Sequence, residues 1–344
     1  MRIAIVGPGA IGGLFGAVLS RGGLDVTLVS RRAEEAERIG REGVRIEGRG
    51  GDYVSRPNAV CLESPASALR PFDVILVAVK AYDTESAART LAPIVGPETT
   101  VVTVQNGLGN VEILVTAFGR GRVLGGATNQ GANVLRTVGA APCGRPDGEA
   151  EKARAATWGR PDLVIDHAYV AGTTIGELDG RVTERAKRIA ETFTAAGLET
   201  AASDNIDGVI WTKLLINVGI NPLVALLRVR NGVLAEHAET LDLMRLAVTE
   251  GLEVAKAKGV RLLVPDPVGR AVDQAVKSGG NIASMLQDVR AGRRTEIDFI
   301  TGAIVREGRR LGIPTPVNEA LTLLVRAVTV AAASRLNSEK IAKA

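Results

Sequence analysis

Aromatic side chains are scarce in this chain of 344 residues: five Phe, three Tyr and two Trp, 3% of the total. The stacking platforms that single-strand nucleic-acid binders use are therefore barely available. Charge of one sign is scarce too. Forty-two Lys and Arg stand against 38 Asp and Glu, a formal net charge of +4, and they are scattered rather than gathered in blocks. Such an excess implies attraction for small anions at most. The two cysteines, Cys61 and Cys143, lack CxxC or metal-type spacing, so neither a disulfide framework nor a metal site is expected, and a reducing compartment is the simplest reading. Apolar stretches are interrupted by Lys, Arg, Asn or Pro before they reach membrane-spanning length. Glycines and a short charged region argue against reading the N-terminal run to Leu19 as a secretory leader. The expectation is a cytoplasmic protein with no nucleic-acid and no membrane partner.

What is present is an apolar fraction of 46%, typical of a folded soluble protein, in a chain long enough for two cores. Arg2 to Val6 is a short apolar run ending at glycine, Ala10 to Ser20 has apolar residues at helical spacing, and Asp25 to Val29 is a second run. Strand, tight loop, helix and strand thus fit within about 30 residues, the length of a βαβ unit. Val74 to Val79, Thr99 to Val104 and Val123 to Ala127 continue the series, with a helical segment at Thr84 to Ile94. Strands alternating with helices imply a parallel sheet covered on both faces. Beyond Ser203 the pattern changes: Asn205 to Arg228, His237 to Lys258, Asp266 to Lys277, Thr295 to Leu311 and Asn318 to Ala333 all read as helices. The expected fold is α/β, an N-terminal Rossmann-type doubly wound parallel sheet over 1–203 and a C-terminal all-helical domain over 204–344. The cleft between domains is the default ligand site. Arg136 to Pro161, rich in Gly, Pro, Ala and charge, reads as a surface insertion.

The loop Gly7-Pro8-Gly9-Ala10-Ile11-Gly12 follows the first strand and opens the first helix. Gly7 suits a sharp turn, Gly9 lets a pyrophosphate approach the backbone, and Gly12 permits close helix–strand packing. Phosphates would sit on free N–H groups at the helix N-terminus. A GxGxxG pattern alone is weak, but strand, loop, helix and second strand together are the context that supports a dinucleotide site. Where an NAD enzyme usually has Asp or Glu at the end of the second strand, this chain has Ser30-Arg31-Arg32. Arginine suits a 2′-phosphate and points to NADP; the alternative is that the two arginines solvate a strand end.

Arginine outnumbers lysine, so a lysine within an apolar element asks for a reason. Lys80 ends the strand Val74 to Val79, at the carboxyl edge where doubly wound sheets bind ligands. Lys213 lies inside the apolar helix Trp211-Thr212-Lys213-Leu214-Leu215-Ile216-Asn217. Asn217 is four residues on, and Asn221 follows a turn later, where Pro222 should break or kink the helix. An ammonium and two amides on one edge make a site for an anion or a carbonyl, and desolvation can lower a lysine into the range of a general acid. Alternatively Lys213 snorkels to solvent and the asparagines cap helix ends. Thr295 to Asp298 reads as a helix cap, with Thr295 the cap and Asp298 at the capping-box position. Asn106-Gly107 is either a tight turn with Asn106 at positive φ or an amide at the sheet edge facing a nicotinamide ribose. His167 and His237, the only histidines, are given no catalytic role.

Taken in order, GPGAIG, VAVKAYDT, VQNGLGN, WTKLLINVGINPL, RNGVL and NIASMLQDVRAGRRTEIDFITG resemble the ketopantoate reductase (2-dehydropantoate 2-reductase) family over most of the chain. The last three motifs are far more specific than the glycine loop. The resemblance implies NADPH-dependent reduction of 2-dehydropantoate to pantoate in pantothenate biosynthesis. It also implies that Lys213 donates a proton to the ketone oxygen with Glu296 close to the reacting centre. Asn217, Asn221, Asn231 and Ser284 would contact substrate, and Asn106 both substrate and cofactor. Ala132 and Glu296 would lie on the cofactor side, and Arg31 and Lys80 would favour the 2′-phosphate. The implied partner is a small-molecule 2-oxoacid, with a homodimer as a candidate assembly. A reductase of another branched 2-oxoacid and a non-catalytic NADP sensor are the rival readings.

Overall fold

The computed structural model describes residues 1–61, 71–136 and 163–343, so Cys143 and nearly all of the expected insertion at 136–161 lie outside the described residues. The chain divides into two compact units. One comprises Met1–Gln105 and Asn110–Ile206, the other Asn106–Gly109 and Asp207–Ala344.

In the first unit β1 (Arg2–Val6), α1 (Ala10–Arg21) and β2 (Asp25–Ser30) form the opening βαβ unit. Then come α2 (Ala33–Glu42), β3 (Val44–Gly48), β4 (Tyr53–Ser55), β5 (Asn58–Cys61), β6 (Val74–Val77), α3 (Thr84–Leu91) and β7 (Thr100–Thr103). The unit ends with α4 (Asn110–Phe118), β8 (Val123–Thr128), β9 (Gly131–Arg136), β10 (Leu163–Tyr169), β11 (Thr173–Glu177), α5 (Glu184–Ala195) and β12 (Thr200–Ala202). Eight strands make one sheet in the order β12-β11-β8-β7-β6-β1-β2-β5. It is parallel at every pairing from β8 to β5, and β11 runs antiparallel to β8.

The apolar runs of β1 and β6 are unbroken because both faces of the sheet are covered. Successive side chains point to opposite faces. Ile3 and Ile5 join one core with Leu14 and Phe15 of α1 and Phe193 of α5, while Ala4 and Val6 join another with Leu91 of α3 and Leu114 of α4. Each large side chain so buried contributes roughly 1.5–3 kcal/mol. The chain reverses its direction of winding at β1, whose neighbours are β2 and β6. The carboxyl ends of these three strands therefore flank the switch point where such sheets take ligands.

A second sheet, β4-β3-β10-β9, has no counterpart in the sequence reading. It packs on α1, and so closely that a Cβ at Gly13 would lie 2.4 Å from Ile165 Cδ1. The run Ala10-Ile11-Gly12-Gly13 at the start of α1 thus serves two surfaces, with Gly12 against the main sheet and Gly13 against this one.

The second unit is helical: α6 (Ile206–Leu227), α7 (Val233–Glu236), α8 (Ala238–Ala257), α9 (Pro267–Lys277), α10 (Ser284–Arg290), α11 (Thr301–Leu311) and α12 (Pro316–Lys343). Its core gathers Trp211, Leu214 and Val218 of α6 with Met244 and Val254 of α8, Leu286 of α10, Ile304 of α11 and Val325 of α12.

Four expectations need correction. Pro222 does not break α6, which is continuous to Leu227 and ends at Arg228, the one non-glycine residue with positive φ among those described. Thr295 to Leu311 is not one helix: a 3-10 turn, Ile297–Phe299, and a non-helical Ile300 (φ −107, ψ −97) precede α11. Nor does Thr295 cap that turn. Glu296 stands at the cap position, and Asp298 pairs with Arg326 at 2.6 Å. Lastly, two helices are long and apolar enough to cross a membrane by length and composition, Ile206–Leu227 and Pro316–Arg335. The first is largely buried in its own unit's core; the second leaves Leu323, Leu324 and Val330 exposed.

Candidate active site

In the first unit the glycine loop turns from β1 into α1 with Gly7 at φ +92, a conformation L side chains rarely adopt. A Cβ on Gly12 would sit 2.1 Å from the carbonyl oxygen of Gly7, so only glycine lets α1 start so close to the strand. At Gly9 a Cβ would meet no protein atom within 4 Å. The fold demands glycine at Gly7 and Gly12, while at Gly9 it leaves room for a ligand to approach the backbone. Gly9 also precedes α1 with no side-chain cap bond, so the first N–H groups of the helix are open to an anion. Pro8, Ala10 and Ile11 complete the loop.

At the next strand end Ser30 is buried, and its hydroxyl donates to Glu35 Oε2 at 2.5 Å while accepting from the Arg32 amide at 3.0 Å. Arg32 pairs with the other oxygen of Glu35 at 2.6 Å. Arg32 is thereby engaged, and its neighbour Arg31 extends its guanidinium into solvent, 3.6 Å from Asp83. Lys80 follows β6, on the other side of β1. Gln105 was not singled out from sequence. Its amide donates to Val79 O and to Thr84 Oγ1, both at 2.8 Å, and so fixes the backbone leading into Lys80. Thr84 in turn donates to Asn110 Oδ1 at 2.8 Å, in a buried bond. These partners lie within VAVKAYDT and VQNGLGN, but their pairing needs the β6–β7 register and is invisible in either motif alone. Ala132 lies on β9, opposite His167 of β10, in the sheet that packs on α1.

Asn106 groups with the helical unit. Leu108 N donates to Phe299 O at 2.9 Å, and Gly107, at φ +83, lies so near that carbonyl that a Cβ there would be 2.2 Å from it. The positive φ is at Gly107, with Asn106 in an ordinary conformation. Every residue expected to touch substrate, Asn106, Lys213, Asn217, Asn221, Asn231 and Ser284, therefore belongs to the second unit, as does Glu296.

Between Val209 and Asn217, α6 is open only at Val209, Ile210, Lys213, Ile216 and Asn217, one stripe at helical spacing. Lys213 does not snorkel to bulk water. The residue as a whole is half-buried, its titrating end is enclosed, and burial lowers its pKa to about 8, an effect that the Glu296 carboxylate opposes. Glu296 is itself buried, as are Asn221 and Asn231. Ser284 is exposed at the start of α10. Asp288, also buried, accepts two bonds from Arg293 and pins the chain between α10 and Glu296. Among the described residues no group of three or more His, Cys, Asp and Glu could hold a metal ion.

Strand order and the glycine loop make the first unit a Rossmann-type fold of the NAD(P)-binding class, followed by a helical C-terminal unit. Family models described as ketopantoate reductase PanE/ApbA and its C-terminal domain match residues 3–140 and 205–329. A 2-dehydropantoate 2-reductase of Halobacterium salinarum is 36% identical, the match covering 95% of this chain and 98% of that protein. One from Archaeoglobus fulgidus is 34% identical, covering 95% and 97%. A D-mandelate dehydrogenase solved with NADH and anilino(oxo)acetate is similar in structure with a TM-score of 0.84 and 25% identity, covering 96% of this chain and 99% of that one. The chain belongs to the ketopantoate reductase family.

Proposed function

We propose that this protein reduces 2-dehydropantoate to pantoate, the reductive step of pantothenate biosynthesis, and prefers NADPH over NADH. The observation that carries the reading is Lys213: a lysine on the open stripe of a core helix, lowered to about 8 by burial with a buried carboxylate beside it. A bound nicotinamide dinucleotide would supply the hydride. The open backbone at Gly9 and the uncapped start of α1 fit its pyrophosphate, and Arg31 and Lys80 fit a 2′-phosphate.

Lys213, as ammonium, donates a hydrogen bond to the C2 carbonyl oxygen and then its proton to the alkoxide that forms as C2 is reduced. Charge grows on that oxygen in the transition state, so a donor already oriented in a dry site acts where it counts. Glu296 keeps Lys213 protonated near neutral pH by raising its pKa against the effect of burial. Asn217 and Asn221, one and two turns further along α6, supply amides to orient the oxoacid, and Ser284 and Asn106 supply further polar contacts.

The test is NADPH oxidation with 2-dehydropantoate beside a panel of 2-oxoacids that includes phenylglyoxylate, the oxoacid of mandelate. Preference for 2-dehydropantoate supports the reading, and preference for another oxoacid replaces it. Equal catalytic efficiency with NADH and NADPH would refute the cofactor preference.

A further inference from the structure

Asn231 precedes α7 and is held where two backbone segments cross. Its N–H donates to Asn281 O at 3.0 Å, the Gly232 N–H to Gly279 O at 3.2 Å, and the Arg230 guanidinium to Gly280 O at 2.7 Å. A Cβ on Gly232 would lie 2.9 Å from the Gly279 Cα, so the RNG and SGGN segments meet backbone to backbone. Rigid placement of the main chain does not by itself decide which end of the Asn231 amide faces which way. Ser278 does.

The Ser278 hydroxyl donates its single proton to Gln274 O at 2.7 Å, one helical turn back at the end of α9. With that proton spent, its oxygen can only accept. It accepts from Asn231 Nδ2 at 2.9 Å. The amide is therefore turned with its nitrogen toward Ser278 and its oxygen away. Asn231 Oδ1 is buried and accepts nothing from the described residues. A buried acceptor without a partner is costly, and the group that satisfies it must be a donor, which excludes a carboxylate.

We infer that Ser278 is a positioning residue that fixes the amide of Asn231 so that its oxygen accepts a hydrogen bond from a hydroxyl of the substrate. The inference rests on the proposed function and deepens it. A 2-oxoacid carries its carboxylate and its ketone oxygen, both acceptors, so the donor that matches Asn231 Oδ1 is a further hydroxyl, which 2-dehydropantoate has at C4. An amide locked in this sense selects for that hydroxyl, because an analogue without it leaves the buried oxygen unpaired.

The experiment compares kcat/KM for 2-dehydropantoate and for 3,3-dimethyl-2-oxobutanoate, the same branched oxoacid without the C4 hydroxyl, in wild type, Ser278→Ala and Ser278→Thr. Wild type should prefer the hydroxylated oxoacid. Ser278→Ala should cut kcat/KM for it roughly tenfold, the scale of one hydrogen bond, mainly through KM, while leaving the other substrate unchanged. Ser278→Thr, which keeps the oxygen, should restore the preference. Equal losses on both substrates would mean that Ser278 only supports the fold, and no loss on either would mean that Asn231 does not depend on it; both overturn the inference. A wild type that turns over 2-dehydropantoate without preferring it over the analogue also overturns the inference but leaves the proposed function standing. A wild type inactive on 2-dehydropantoate overturns the proposed function, and the inference with it.

Discussion

The two units hold their chemistry in opposite surroundings. The first keeps its strand-end arginines in water: the Arg31 side chain is 76% exposed and the Arg32 side chain 60%. The second encloses the end of Lys213 and buries Glu296, Asn221 and Asn231. The difference follows from the work proposed for each. A phosphate is strongly charged, and a permanent cation in water can hold it while staying charged through every turnover. A proton donor needs a pKa near the working pH, and burial is the means of lowering a lysine into that range.

Lys213→Ala should break the comparison most severely, lowering kcat by roughly a hundredfold or more, the usual scale for a general acid, while cofactor affinity measured by fluorescence titration stays unchanged. Arg31→Ala is its counterpart in the first unit. It should raise KM for NADPH and leave KM for NADH alone, with a loss of about 1.5–3 kcal/mol for a hydrogen bond to a charged group. Within the phosphate loop, Gly12→Ala should destabilise the fold by about 1–3 kcal/mol through overpacking, seen as a lower Tm. Gly9→Ala should leave Tm unchanged and weaken only dinucleotide binding. Smallest is Asp83→Asn, which frees Arg31 from its ion pair. NADPH affinity should rise by no more than about fivefold at low salt, as fits an exposed pair worth up to ~1 kcal/mol, and the gain should fade as ionic strength rises.

How much of this could be read from the sequence depended on whether a feature is local. The opening βαβ unit was legible because its strands are buried on both faces and its turn requires glycine at fixed positions. The Lys213, Asn217 and Asn221 stripe was legible because helical spacing alone puts three such residues on one face. The four-stranded sheet was not: β3, β4, β9 and β10 are short, and β3 pairs with β10 more than a hundred residues away. The helix expected from Thr295 to Leu311 misled because its apolar spacing continues through Ile300, where the backbone leaves the helix. Pro222 misled the other way, tolerated inside α6 by the packing around it. Gln105, Asp83 and Ser278 were missed because each acts through a partner that only the fold brings near.

Glu296→Gln sharpens the comparison further. Its carboxylate raises the pKa of Lys213, so its removal should move the loss of activity to lower pH. That leads to the most direct measurement, the pH dependence of kcat/KM for 2-dehydropantoate in the wild-type enzyme. In the role proposed for it Lys213 acts as an ammonium, and it titrates at about 8, so activity should hold below that pH and fall as pH rises through it, approaching tenfold per unit. A profile flat to pH 10 would contradict the account, because it would show that no group with the pKa given to Lys213 supplies the proton.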